Sequence, residues 1–109
     1  MNQAAMSFDQ ELDSFIEFLV VERARSDNTV VAYRRDLADY GAFLRRRGKI
    51  GYVQAVSEDV REYLAWLQQK QRRRRSTAAR RLSAIRMLHR YLLREGLATM
   101  DPTVTLDTP

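Results

Sequence analysis

The 109-residue sequence contains no cysteine and a single histidine, His89. Disulfides, thiol catalysis and cysteine-ligated zinc are therefore excluded, and one imidazole is too few for a transition-metal centre. Such a chain fits a reducing, cytoplasmic compartment. Glycine is scarce, and none of Gly41, Gly48, Gly51 and Gly96 stands in a phosphate-cradling pattern, so nucleotide chemistry finds no loop to work from. Long apolar runs are missing as well. The longest near the N-terminus is Phe18 to Val21 and the first basic residue is Arg23, which leaves neither a secretory leader nor a membrane span. Neither strand alternation nor an internal repeat is found. Catalytic groupings are absent too. His89 lies near an apolar helix face with no serine or cysteine partner and reads as a packed or interfacial residue, while no tyrosine stands beside an evident base. No cofactor is implied.

What the chain does have is 45% apolar and 30% charged residues, enough for one self-sufficient core at this length. Helical periodicity divides it into four segments. Ser7 and Gln10 form a capping-box pattern ahead of Phe8, Leu12, Phe15, Ile16 and Leu19, predicting a first helix over 7–24. Ser26-Asp27-Asn28 supplies capping residues, and Val30, Tyr33, Leu37, Tyr40 and Leu44 mark a second helix over 28–47 that stops at Gly48. Arg45, Arg46 and Arg47 in its last turn complement the helix dipole or meet a polyanion. Gly48 to Val56 is a connection. Ser57 is expected to cap a third helix over 57–70, with Val60, Leu64 and Leu67 inward and Trp66 off the stripe. Ser76 caps a fourth over 76–95. There Ala78, Leu82, Ile85, Leu88 and Leu92 share one face, opposite Arg80, Ser83, Met87, Arg90 and Arg94. An all-α bundle follows, with a helical core over 8–100 and an irregular, linker-like tail over 101–109.

Charge is distributed unevenly along this bundle. Residues 1–66 carry nine basic and eleven acidic side chains, whereas 67–109 carry ten and three, and all ten charges from Gln68 to Arg94 are positive. Arginine supplies 17 of the 19 basic residues, and its planar fork suits phosphate oxygens and guanine edges. A polyanion is the natural partner of such a segment. Arg72, Arg73, Arg74 and Arg75 run into a helix start at Ser76 and Thr77, where unpaired amides, hydroxyls and guanidinium groups form a phosphate-binding arrangement, and Arg80 is the next exposed position. A second candidate is the start of the second helix, where Asn28 and Thr29 precede Arg34 and Arg35. Asn28 and Thr29 are equally at home there as ordinary caps.

The run Ser26-Asp27-Asn28-Thr29-Val30-Val31-Ala32-Tyr33-Arg34-Arg35-Asp36-Leu37, followed by Arg80-Arg81-Leu82-Ser83-Ala84-Ile85-Arg86, Tyr91-Leu92 and Asp101-Pro102, resembles the N-terminal core-binding domain of Xer-type tyrosine recombinases and phage integrases. The similarity extends from about Phe8 to Pro109. It implies a SAM-like bundle forming one half of a clamp around double-stranded DNA, with the starts of the second and fourth helices at the major groove. Carried over by residue, it assigns DNA contact to Asn28, Thr29, Tyr33 and Arg34, and to Ser76, Thr77, Arg80, Ser83 and Arg86. Tyr33 serves both its core stripe and DNA if its ring packs while its hydroxyl reaches a phosphate.

The family's catalytic tyrosine, arginines, lysine and His-x-x-Arg box belong to a second domain, and Leu92 stands three residues after His89 where such a box needs arginine. The resemblance thus implies that this chain binds DNA without cutting it, as part of an enzyme working through a phosphotyrosine intermediate with neither metal nor nucleotide. The implied partners are the recombination site and other recombinase subunits, with the fragment itself monomeric. The alternative is a SAM-like protein-interaction module, which would show an apolar or mixed-charge patch instead of an arginine face. Membrane binding is disfavoured because the bundle needs the fourth helix's apolar face.

Overall fold

The computed structural model describes residues 6–71 and 75–106. Its helices are α1 (Phe8–Val21), α2 (Asp27–Arg46), α3 (Ser57–Trp66) and α4 (Arg75–Arg94), and the described residues contain no strand, so the protein is the all-α, SAM-like four-helix bundle expected. The first helix begins as its sequence dictates. Ser7 Oγ accepts the Gln10 N–H and Gln10 Oε1 accepts the Ser7 N–H, closing the capping box, and Phe8, Leu12, Phe15, Ile16 and Leu19 turn inward. It ends at Val21, short of residue 24, because Ala24 takes a left-handed conformation (φ 48°) that turns the chain toward α2. Ser26 caps α2, its hydroxyl accepting the Thr29 N–H and donating to Thr29 Oγ1.

Two expectations about α3 need correction. Ser57 is its first helical residue and not its cap; Val56 precedes the helix, and its N–H is taken by the Asp59 carboxylate at 2.9 Å. Asp59 is buried and also pairs with Arg47 at 2.7 Å and Lys49 at 3.5 Å. Burial pushes its carboxyl up, but the Val56 N–H and these two cations outweigh that and hold it below the usual carboxylate range. Regular α-helix also ends at Trp66 and not at 70, giving way to a wider π-type turn over Leu67–Gln71. Trp66 is off the most buried stripe as expected, yet packs against the rings of Tyr63 and Phe43.

The connection between α2 and α3 is built around two buried groups that its sequence does not advertise. Glu11, fully buried on α1, accepts the N–H groups of Tyr52 (2.7 Å) and Val53 (3.1 Å) and so caps the short 3₁₀ turn Tyr52–Gln54. Desolvation raises its pKa, although those two N–H bonds pull the other way. Tyr52 is buried and donates to the Leu37 carbonyl at 2.6 Å. Gly41 makes room for it, since a β-carbon there would stand 2.7 Å from the Tyr52 hydroxyl oxygen. Gly41→Ala is therefore expected to lower stability by about 1–3 kcal/mol in a urea titration, because overpacking against a locked ring outweighs alanine's better helix propensity. Adding Tyr52→Phe should recover part of the loss by removing the atom in the way. A Gly41→Ala protein as stable as the wild type would contradict this packing.

On α4, Leu82, Ile85, Leu88 and Leu92 face inward as predicted, joined by Ala84, Tyr91 and His89. His89 is a packed core residue 1% exposed, its Nε2 lying 2.8 Å from the Tyr40 hydroxyl. Tyr91 meets the hydroxyl of Ser14 on α1. The linker-like reading of the tail also needs correction up to residue 106. The segment is irregular but packed, with Pro102 and Thr103 buried, Leu106 against the core, and Asp101 accepting both the N–H and the hydroxyl of Thr103. Its few apolar side chains are enough to seat it because the turn satisfies its own polar groups.

Candidate nucleic-acid interface

Asp36 on α2 pairs with Arg80 on α4, and one turn further along α2 Tyr40 meets His89, also further along α4. Contacts thus advance in the same sense on both helices, so the crossing leaves both N-terminal halves toward the same end. That is where the sequence placed the two candidate sites.

At the start of α2, Ser26 does the capping, so Asn28 is exposed in the first turn with no capping task, while the Thr29 hydroxyl is engaged by Ser26. Tyr33, one turn on, is partly buried against the core as its period required. Arg34 is exposed and reaches back to Asp13 on α1 at 2.9 Å. A surface pair of that kind contributes about 0–1 kcal/mol and leaves the guanidinium available.

On α4, Arg75 and Ser76 are the first helical residues, and contacts proposed for their side chains lie outside the described residues, as do Arg72, Arg73 and Arg74 entirely. Thr77 is half-buried in the first turn, and Arg80 and Ser83 are exposed. Arg80 is not loose. Its Nε and Nη2 donate to the two oxygens of Asp36 at 2.8 and 3.0 Å, a bidentate pair in which Asp36 is 1% exposed and the arginine side chain 42%. The hydrogen bond to Asp36 is the main reason its pKa is raised. Arg86 stands apart from the others. It is half-buried on another flank of α4 and points toward the Leu106 carbonyl in the tail.

Sequence reasoning missed the neighbouring Arg81 altogether. Its side chain is 4% exposed, with Nη1 donating to the Tyr63 hydroxyl at 2.8 Å, Nη2 to Asp39 at 3.0 Å, and Nε 3.6 Å from Asp36. Desolvation lowers its pKa, but Tyr63, Asp39 and Asp36 more than reverse that. The available signal was its place beside Arg80 on the flank of the apolar stripe, together with two acids one turn apart on α2. The three arginines ending α2 are also tied down. Arg45 lies over Phe8, Arg46 over Trp66 and Arg47 over Phe43, with guanidinium carbons 4.9, 5.9 and 5.7 Å from the ring centroids.

The described residues form a small all-α bundle whose fourth helix is rich in arginine. The chain belongs to the family described as the phage integrase, N-terminal SAM-like domain, which matches residues 12–96. Among curated relatives it is 44% identical over 90% of its length to a tyrosine recombinase XerD from Rhizobium meliloti, and 39% identical over 90% to that of Pseudomonas aeruginosa. A tyrosine recombinase XerC from Listeria innocua is 41% identical over 81% of the chain. The chain spans about a third of the length of these relatives, with coverage of 31%, 32% and 29% respectively. No helix among the described residues is long and apolar enough to cross a membrane.

Proposed function

We propose that this domain binds duplex DNA sequence-specifically, as the N-terminal clamp half of a site-specific tyrosine recombinase acting in the cytoplasm. The catalysis belongs to a second domain, and the other subunits of the recombinase assembly are its protein partners. The observation that carries the reading is Arg80, whose fork is fixed on the half-exposed side of α4 by its bidentate pair with Asp36 of α2. Thr77 and Ser83 on α4, and Asn28 and Arg34 on α2, are the further donors of the proposed surface. Arg72 to Arg75 add field strength next to the helix start.

Selection from a randomised duplex pool, followed by titration of the enriched duplex at several salt concentrations, tests this. With five or six phosphates contacted, the log–log slope of affinity against salt should be about −4 to −5. A slope near zero, or no binding at low salt, would overturn the reading. The alternative of a protein-interaction module has one observation on its side. A cavity of about 640 Å³ between the C-terminal halves of α1 and α4 is mixed in charge, with Phe18 between the guanidinium groups of Arg23 and Arg94 and with Glu17, Glu22 and Glu95 around them. If the same titration finds no duplex binding, that surface becomes the leading functional candidate.

A further inference from the structure

Asp36 is buried between two arginines, and it is the exposed one that takes its bidentate hydrogen bonds. Both carboxylate oxygens go to Arg80, at 2.8 and 3.0 Å, whereas buried Arg81 approaches one of them only at 3.6 Å. Neutralising a buried carboxylate would be served as well by the buried arginine. The arrangement instead fixes the orientation of a solvent-facing fork. Two of Arg80's five N–H donors are committed to Asp36, leaving the other three on a side chain 42% exposed. On its other side Asp36 has the charge of Arg81, 3.6 Å away and itself anchored by Tyr63 on α3 and by Asp39 on α2. Tyr63, Arg81, Asp36 and Arg80 thus line up across three helices, hydrogen-bonded at each end and joined in the middle by an ion pair.

We infer that Asp36 is a positioning residue for duplex binding, holding Arg80 in the orientation in which its remaining donors meet DNA. The inference rests on the proposed DNA-binding function and adds the residue that pre-organises its central contact. A long arginine side chain loses rotamer freedom on binding, and a partner that has already restricted it on folding reduces that loss.

Two effects of Asp36 oppose each other, which makes the test one of sign. As a negative charge close to the binding surface, Asp36 repels phosphate, so its removal by field alone should tighten binding. As the anchor of Arg80, its removal should weaken binding.

The experiment measures affinity for the enriched duplex with Asp36→Asn, Asp36→Glu, Arg80→Ala and the Asp36→Asn/Arg80→Ala double variant, with urea unfolding of each to establish that it is folded. Asp36→Asn should weaken binding by about tenfold, the scale of one lost bidentate contact. Asp36→Glu keeps the net charge but displaces the fork by one methylene, and should weaken binding by about threefold at an unchanged salt slope. In the Arg80→Ala background, Asp36→Asn should produce no further loss, whereas a loss that adds fully to that of Arg80→Ala would mark a purely structural role. Unchanged or tighter binding by Asp36→Asn overturns the inference and leaves the DNA-binding reading intact. If Asp36→Asn does not fold, Asp36→Glu decides alone, and wild-type affinity in that variant overturns the inference. Failure of the wild-type chain to bind any duplex overturns both.

Discussion

Arg81→Ala should destabilise the domain by about 3–5 kcal/mol, a large part of the ~5–15 kcal/mol that holds a domain of this size together. The side chain is 4% exposed and joins three helices through Tyr63, Asp39 and Asp36. Its loss strands the Tyr63 hydroxyl and leaves Asp36, 1% exposed, with Arg80 alone. Breaking one side of a buried ionic network costs far more than the pair contributes to stability, because the remaining charge keeps its desolvation penalty. Arg81→Lys retains the charge but lacks the planar fork needed for three directions, so it should recover only a minority of the loss. Urea unfolding at neutral pH measures both variants. A loss below about 1 kcal/mol for Arg81→Ala would mean that the three-helix joint is not formed as described.

Acid should destabilise the protein through His89 by about 3 kcal/mol between pH 6.5 and pH 4. Burial in the core lowers the imidazole pKa to about 4, a shift that the charge of Asp101 opposes. Because the folded pKa is depressed, the stabilisation is complete above the unfolded value near 6.5. As pH falls, the unfolded chain takes up a proton at His89 while the folded chain does not. Stability drops until the folded pKa is reached, below which this contribution is fully lost. The neutral ring shares a hydrogen bond with the Tyr40 hydroxyl through Nε2. Comparing the wild type with His89→Gln at pH 7 and pH 4.5 isolates the residue from every other titrating group. The wild type should lose about 2–3 kcal/mol more than the variant over that interval. Equal losses would show that His89 is not buried in its neutral form.

The two candidate sites differ in how well they could be read from sequence. At the start of α2 the capping residues were visible, but Ser26, Asp27 and Asn28 compete on equal terms until the chain path selects Ser26. On α4 the stripe of arginines was plain, and their exposure at Arg80, Arg90 and Arg94 follows from the period alone. Their availability does not follow from it. Arg80 and Arg81 lie in a segment with no acid of its own, and both are matched by carboxylates more than forty residues away. The local count of ten positive charges therefore overstates the field at this surface. Arg86 shows the same limit, since only the folded tail reveals what it faces.

Periodicity and capping chemistry determined, with no tertiary information, that this chain is four helices around one core and which side of each helix turns inward. Those signals are local: a 3.6-residue repeat and a cap are complete within a few residues. The tertiary structure decided what stands opposite each inward or flanking group. It brought Glu11 to the Tyr52 turn, Tyr40 to His89, and Asp36 and Asp39 to the paired arginines of α4. A buried polar group needs a partner, but its own sequence neighbourhood does not say which of many distant residues will provide one, because that depends on how the helices cross.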